Sequence, residues 1–311
     1  MHRNIISIII PTYNRAHLIG ETLDSVIAQT YKNWECIIVD DGSTDYSREL
    51  LEFYSYKDSR IKYYKRPTDR PKGANACRNY GFELSNGDFI NWFDSDDLMI
   101  PEFIEKKMNG FKSYTDIVIS KSIFLNENEE IIGKEIRTRS SDNLLEDFIT
   151  LQISWYLPDP MYRREFLADK ILFDVYLLKG QDRDFHIRRL LEDPNINFLN
   201  DYLTKYRQTI NSISQDFDEK TMKTLYFSTN KLIKTLTPLN PEKGTKYFLL
   251  KQQLKKFPYL YTNHEVTKQN FLLFRDLGRL DLKIVKWFLK YVLAVISFTL
   301  VNKGQFFLRG E

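Results

Sequence analysis

Gly87-Asp88-Phe89-Ile90-Asn91-Trp92-Phe93-Asp94-Ser95-Asp96-Asp97 decides how this chain is read: a short apolar run stops abruptly in three carboxylates. Phe89 to Phe93 has the length and aromatic content of a buried strand. The acids then fall at that strand's carboxyl end, where open α/β sheets place their ligands. Carboxylates this close repel one another unless a cation sits among them. An all-oxygen donor set favours a hard ion, Mg2+ or Mn2+. The competing reading is a polar turn with Asp97 at the start of a helix that follows.

Upstream of this stretch, strands and helices alternate. Ile5 to Ile10 is a β-branched run broken by Pro11, a buried parallel strand. A helical pattern follows, with Leu18, Ile19, Leu23, Val26 and Ile27 on one face. Trp34 to Val39 is a second strand ending in the turn signal Asp40-Asp41-Gly42-Ser43. A helix near Ser47 to Tyr54, a strand near Ile61 to Lys65 and a helix over Asn75 to Leu84 complete the alternation. This is the pattern of a doubly wound parallel sheet. Pro11 to Asn14, Asp40-Asp41 and Asp94 to Asp97 each follow a strand, so in such a fold they converge on one edge and form a single polar crevice.

Downstream the alternation weakens. Pro101 to Tyr114 reads as a helix with Pro101 in its first turn. Ile117 to Leu125 and Glu130 to Ile136 flank Asn126-Glu127-Asn128-Glu129 as a hairpin, and Asn143 to Gln152 is helical. Trp155 to Tyr162, with two prolines and three aromatics, has a composition suited to lining a site. A helix opens at Gly180-Gln181-Asp182 and runs through Leu191, and Asn197 to Tyr206 is extended. The composition changes near Asp216. From Glu219 to the end there are 17 basic and 6 acidic residues, a net +11, which leaves −8 on the preceding residues of a chain whose total is +3. An acidic body with a basic tail points to an anionic partner for the tail.

Several function classes are excluded. The polar loop Arg66 to Gly73 can meet phosphates, but neither a Gly-x-x-x-x-Gly-Lys-Ser/Thr nor a Gly-x-Gly-x-x-Gly motif occurs, against a P-loop ATPase or a typical dinucleotide oxidoreductase. No Gly-x-Ser-x-Gly elbow is present. His2, His17, His186 and His264 are scattered and read as surface or packing residues. Cys36 and Cys77 lie in apolar or helical patterns without metal spacing, and no leader precedes the first strand, which implies a reduced, cytoplasmic setting. No uninterrupted apolar stretch of about 20 residues is present to span a membrane, and no nucleic-acid recognition module is visible.

Ile8-Ile9-Ile10-Pro11-Thr12-Tyr13-Asn14-Arg15, then Ile37-Ile38-Val39-Asp40-Asp41-Gly42-Ser43-Thr44-Asp45, resemble family 2 glycosyltransferases. So do Ala76-Cys77-Arg78-Asn79-Tyr80-Gly81 and Gly87-Asp88-Phe89-Ile90 with Asp94-Ser95-Asp96-Asp97. The resemblance covers residues 4 to 215. It implies a GT-A fold: a mixed, mainly parallel α/β sheet flanked by helices, as a catalytic domain over residues 1–215. Residues 216–311 then form a basic, mainly helical extension. It also implies transfer of one sugar, with inversion, from a nucleotide-diphospho-sugar such as a UDP-sugar to a carbohydrate or lipid-linked acceptor, in surface polysaccharide or glycolipid assembly.

Roles carry over residue by residue. Pro11 and Tyr13 fall in the donor-binding motif, where Tyr13 offers a flat face to the base. Asp40 accepts from a uracil-type N–H, with Asp41 stabilising the turn. Arg78 and Asp94 contact nucleotide or ribose. Metal coordination by Mn2+ or Mg2+ falls to Asp96, with Asp94 shared. Asp182 stands where the family has its catalytic base, although Gln181 replaces the commoner Glu. Asp184, on the same helix turn, is its rival, and with Trp155 is assigned to the acceptor side. Thr209 stands where a histidine is usual, leaving Arg207 to substitute or to form a structural salt bridge. No Gln-x-x-Arg-Trp occurs, so single-sugar transfer is expected.

Two alternatives stand beside this one: a nucleotide-sugar-binding assembly subunit without catalysis, and a nucleotidyltransferase, which would need a glycine-rich loop after the first strand. In the tail, Arg279, Lys283, Lys286 and Lys290 fall within about 60° of helical arc, among apolar residues up to Val301. Such a helix over 279–301 either lies on an anionic membrane surface, at the inner face of the cell membrane, or packs on its own domain.

Overall fold

The computed structural model describes residues 4–135, 141–208, 218–260 and 282–301. The chain divides into two units. One consists of Met1–Asp142, Ile153–Val175 and Gln181–Ser212; the other consists of Asn143–Gln152, Tyr176–Gly180 and Ile213–Glu311.

In the first unit the apolar runs become strands and the 3.6-period segments become helices. In chain order these are β1 (Ile6–Thr12), α1 (Ile19–Ile27), β2 (Trp34–Asp40), α2 (Ser47–Lys57), β3 (Ile61–Lys65), α3 (Ala74–Leu84) and β4 (Phe89–Trp92). There follow β5 (Leu98–Met99), α4 (Phe103–Gly110), β6 (Ile117–Leu125) and β7 (Ile131–Lys134). The helix α5 (Leu144–Ile149) belongs to the second unit, and β8 (Pro160–Arg163), α6 (Arg164–Leu167), α7 (Gln181–Leu190) and β9 (Ile196–Arg207) return to the first.

One nine-stranded sheet runs β3-β2-β1-β4-β8-β6-β9-β5, with β7 added beside β6. The β3-β2-β1-β4 half is parallel throughout. All residues of β1, β2 and β4 are buried, as a sheet covered on both faces requires. Beyond β4 the directions mix: β8 is antiparallel to both β4 and β6, and β9 is parallel to β6. The first half of β6 pairs with β8 and its last residues with β7, which gives the expected hairpin.

Two expectations are corrected here. The segment from Trp155 to Tyr162 is not an open lining, because residues from Pro160 onward form β8, with Met161 and Tyr162 buried in the sheet. Pro160 is tolerated because it stands first in its strand. Its carbonyl and that of Pro158 accept from the buried Asn91 amide on β4, at 2.8 and 3.0 Å. Asp97 caps no helix: the chain after it becomes β5, paired antiparallel with β9.

The amino end of the β4 motif serves the sheet. Gly87 N–H donates to Ser7 Oγ at 2.8 Å, and Ser7 donates to the buried Glu35 carboxylate at 2.8 Å. Asp88 Oδ2 accepts Ile5 N–H at 3.0 Å, and Arg164 closes this corner by donating to the carbonyls of Gly87 and Asp88. A Cβ on Gly87 would sit 2.6 Å from Ser7 N and 2.8 Å from Ile5 O.

The second unit contains α5, α8 (Glu219–Leu236), α9 (Lys243–Leu260) and the helix Leu282–Val301. Asp218 caps α8 by accepting from Thr221 N–H, and Gln253 on α9 donates to Tyr226 O and Asn230 Oδ1 of α8. Among the described residues no helix is long and apolar enough to cross a membrane.

Gly87→Ala forces β4 away from β1 through backbone contacts that cannot yield. It is expected to lower the unfolding free energy by about 1–3 kcal/mol, read as a shift of the urea midpoint at unchanged slope.

Candidate active site

Three loops at the carboxyl ends of β1, β2 and β4 meet, as the strand order requires. The first two are laced together. Asn14 adopts a left-handed φ of 52°, tolerated by its short polar side chain. Its N–H donates to Ser43 Oγ at 2.9 Å and its Oδ1 accepts Thr44 N–H at 2.8 Å. Arg15 N–H reaches Ser47 Oγ at 3.1 Å, and Ala16 N–H reaches Asp45 Oδ2 at 3.1 Å. The Tyr-Asn-Arg and Gly-Ser-Thr-Asp motifs are thus one hydrogen-bonded object. Pro11, buried beside Val39 of β2, lacks an N–H on the side where β4 has already ended.

Within this object Asp40, not Asp41, braces the turn. Asp40 Oδ1 accepts from Gly42 N–H, Ser43 N–H and Ser43 Oγ at 3.2, 2.9 and 2.6 Å, and Oδ2 accepts from Tyr63 at 3.2 Å. Gly42 supplies the φ of 92° that this turn needs. Asp41 instead pairs with Arg66, whose guanidinium also holds the carbonyls of Pro67 and Arg70. Tyr13 stands 42% exposed with Lys72 Nζ 4.3 Å from its ring centroid.

The carboxylate loop is suspended from the polar side of α1. Thr22 Oγ1 donates to the carbonyls of Ser95 and Asp97 at 3.1 and 2.9 Å. Ser25 Oγ accepts Met99 N–H at 3.1 Å, and Gln29 bridges Ile100 O and Ile104 N–H at 2.8 and 3.0 Å. Thr22 and Ser25 lie on one face of α1 and Gln29 follows just past its end, so these three side chains together grip residues 95–104.

The acids are then separated by their partners. Asp94 Oδ1 lies 3.0 Å from Arg78 Nη2. Asp96 faces Arg15 at 3.8 Å, and its carboxyl is pushed upward by burial and by the neighbouring Asp94. Asp97 is buried; its Oδ1 accepts Arg207 N–H at 3.0 Å, while Oδ2 has no hydrogen-bond partner among the described residues. Burial and then Asp96 and Asp94 hold its carboxyl well above the ordinary range. Arg207 forms a salt bridge, with Glu21 and Glu129. Thr209 lies outside the described residues.

Asp182 enters on the first turn of α7, partly buried, with Oδ1 accepting Arg183 N–H at 2.8 Å. Burial raises its carboxyl; Arg78 opposes the shift and Asp94 adds to it. These two charges tie Asp182 electrostatically to the β4 loop. Beneath it Trp92 is a hub of rings, with Tyr162, Phe173 and Phe185 at centroid distances of 5.7, 5.1 and 5.1 Å. Trp92 Nε1 donates to Arg78 O at 3.3 Å, and the Arg78 guanidinium lies 5.4 Å from the Phe173 ring. Asp184 is drawn off into an ion pair with Arg188 at 2.9 Å. Trp155 is buried, with its ring against His186 and Phe198. Arg78, Asp94, Asp96 and Asp182 therefore come together, with Tyr13 and Asp40 on the adjoining loops, whereas Trp155 packs in the core.

Among the described residues no group of three or more His, Cys, Asp or Glu side chains is arranged to hold a metal ion. Two oxygen-donor carboxylates, Asp94 and Asp96, are present, and burial together with repulsion from Asp94 raises Asp96. That set fits a Mg2+- or Mn2+-type ion, which takes one or two carboxylates and fills its shell with phosphate and water oxygens. The side chains missed from sequence are Arg15, Thr22, Gln29 and Asn14. Thr22, Ser25 and Gln29, recurring at i, i+3 and i+7 along the edge of the apolar stripe, were the available signal.

The model of the family described as Glycosyl transferase family 2 matches residues 7–185. Glycosyltransferase GlyA of Streptococcus pneumoniae is 30% identical over 237 residues, 71% of this chain and 33% of that protein, so the chain spans a third of that relative's length. The crystal structure of S. aureus TarS 1–349 in complex with UDP-GlcNAc matches with a TM-score of 0.62 at 19% identity, over 94% of this chain and 86% of that one. Mannosyltransferase PcManGT from Pyrobaculum calidifontis, in complex with GDP-Man and Mn2+, matches with a TM-score of 0.59 at 16% identity, over 97% and 89%. The shared fold is GT-A: the mixed, mostly parallel sheet flanked by helices described above.

His186, on the buried face of α7, has Nδ1 2.9 Å from Tyr162 Oη, and burial pushes its pKa down to about 3. Below its unfolded pKa of about 6.5 the unfolded chain takes up a proton that the folded one does not. Folding is therefore weakened as pH falls, by about 1.4 kcal/mol per pH unit. Denaturant unfolding at pH 7.5 and 5.5 should show wild type losing about 1 kcal/mol more than His186→Gln.

Proposed function

The chain belongs to glycosyl transferase family 2, and we propose that it moves one sugar from a nucleotide-diphospho-sugar, a UDP-sugar, to an acceptor hydroxyl with inversion. The observation that carries this reading is the Asp94–Arg78–Asp182 group: one carboxylate held by an arginine, and a second, on α7, whose raised carboxyl feels both charges. TarS was crystallised with UDP-GlcNAc and PcManGT with GDP-Man and Mn2+, which supports the nucleotide-sugar class.

In this reading residues 1–215 carry the chemistry. Tyr13 offers its exposed ring to the nucleotide at the joined first and second loops, Asp40 shapes that site by bracing the turn, and Pro11 fixes where the first loop leaves the sheet. Arg78 orients Asp94 toward the ribose. Asp94 and Asp96 hold the divalent ion, which when bound supplies positive charge against the diphosphate leaving group. Asp182 accepts the proton of the acceptor hydroxyl as its oxygen bonds to the anomeric carbon. The bond from that carbon to the diphosphate breaks in the same displacement, and the nucleoside diphosphate leaves. The raised carboxyl of Asp182 makes it a better proton acceptor than an exposed aspartate.

A second reading concerns the partner of the C-terminal helix. Within Leu282–Val301, Leu289, Leu293 and Ile296 are 56, 49 and 48% exposed, and Lys286 is exposed on the same arc, while Tyr291 and Ala294 are buried. A stripe of large apolar residues beside a lysine, in a segment of net +11, suits an anionic lipid surface. The enzyme then works at the inner face of the cell membrane on a lipid-linked acceptor. Of the basic stripe expected from sequence, Arg279 lies outside the described residues.

Asp182→Asn is expected to lower kcat by about 10²–10⁴ while leaving calorimetric UDP-sugar affinity near wild type; wild-type turnover in a folded variant would sink the base assignment. Asp96→Ala should abolish the part of donor affinity that depends on Mn2+. Co-sedimentation with anionic vesicles should fall as salt rises and be lost in Leu293→Glu/Ile296→Glu; equal binding by that variant would refute the membrane contact.

A further inference from the structure

Arg207 ends β9 and joins three parts of the first unit. Its backbone N–H donates to Asp97 Oδ1 at 3.0 Å and its Nη1 lies 3.4 Å from the Asp96 carbonyl. Its Nη2 pairs with Glu21 of α1 and with Glu129 at the β6–β7 tip. The arginine side chain is almost fully buried, whereas both glutamates are more than half exposed. A buried guanidinium must be paired, and its ion-pair partners among the described residues are these two glutamates, not the carboxylates of the loop it touches. Arg207 instead meets the Asp96 backbone, and its charge is turned outward to the glutamates.

The hairpin tip is built to deliver Glu129. Asn126 Oδ1 accepts Asn128 N–H and Glu130 N–H at 3.0 and 2.9 Å, and Glu129 N–H donates to Asn126 O at 3.0 Å. In this turn Glu129 takes a left-handed φ of 61°, an arrangement that costs a non-glycine residue energy. A glycine or asparagine would fit that backbone without the carboxylate.

We propose that Arg207, clamped by Glu21 and Glu129, is a positioning residue for the Asp94–Asp97 loop, so that the β6–β7 hairpin sets donor affinity by acting on that loop through the arginine. The clamp keeps the guanidinium on the loop's carbonyl and off its carboxylates, which stay available to a cation. The link to donor affinity rests on the function proposed above; the strut itself does not.

Hydrogen exchange and metal titration test the two parts separately. Glu129→Gln should speed exchange of the amides between residues 94 and 100 about tenfold, with β1 amides unchanged, and should weaken binding of Mn2+ with UDP. In an Arg207→Met background Glu129→Gln should add nothing, because the clamp is already gone; an equal added effect means a simple charge effect and overturns the proposal. Should Arg207→Met not fold, Glu21→Gln/Glu129→Gln keeps the arginine and reads the same amides. Wild-type exchange in that double variant overturns the strut. Faster exchange with wild-type Mn2+–UDP affinity overturns the link to donor binding. Absence of Mn2+–UDP binding by the wild type overturns the functional reading of the loop and leaves the strut standing.

Discussion

Three carboxylates within four residues, at the end of a strand buried on both faces, are a standing repulsion. Much of the first unit is arranged to contain it. The loop's backbone is held from one side by Thr22, Ser25 and Gln29 and closed on the other by Arg207. Its charges are answered by the buried Arg78 and the partly exposed Arg15, while the carboxyl of Asp97, turned inward, is held well above the ordinary range by burial. The packing does not remove the repulsion. It fixes where the repulsion is felt, at a pair of partly exposed oxygen donors.

The ring cluster below has a related task. Trp92 stands on β4 immediately before the acids, and its indole donates to the backbone of Arg78. Phe185 on α7 packs on both Trp92 and Phe173. The arginine facing Asp94 and the helix bearing Asp182 are therefore set against the same side chain. Aromatic packing thus helps to fix their mutual geometry from beneath the loops.

What was legible in the sequence was the parallel half of the sheet and the convergence of three loops, because β-branched runs ending in polar turns fix both. The resemblance then separated Asp96 from its neighbours. The mixed half was less legible. The strand β8 is only four residues long and begins with proline, so its composition looked like a loop. Asp97 looked like a helix cap because the next element, β5, is two residues long. The division of labour between Asp40 and Asp41 turns on which carboxylate points at which N–H, and side-chain direction at a turn has no periodic signature. Arg207 and Glu129 are 78 residues apart in sequence, and nothing local predicts such a pair.

The Gly87 corner carries one more implication. It pins the start of β4 to β1 through a contact with no room for a methyl group, and the acids begin seven residues later by the numbering of the chain. The strand between them works as a ruler. Inserting or deleting one residue would carry the acids about 3.3 Å along the strand direction, out of register with Arg78, Thr22 and Arg207, with every side chain still present. In this segment the count of residues is itself under constraint. Length variation among natural variants should therefore be excluded between Gly87 and Asp94.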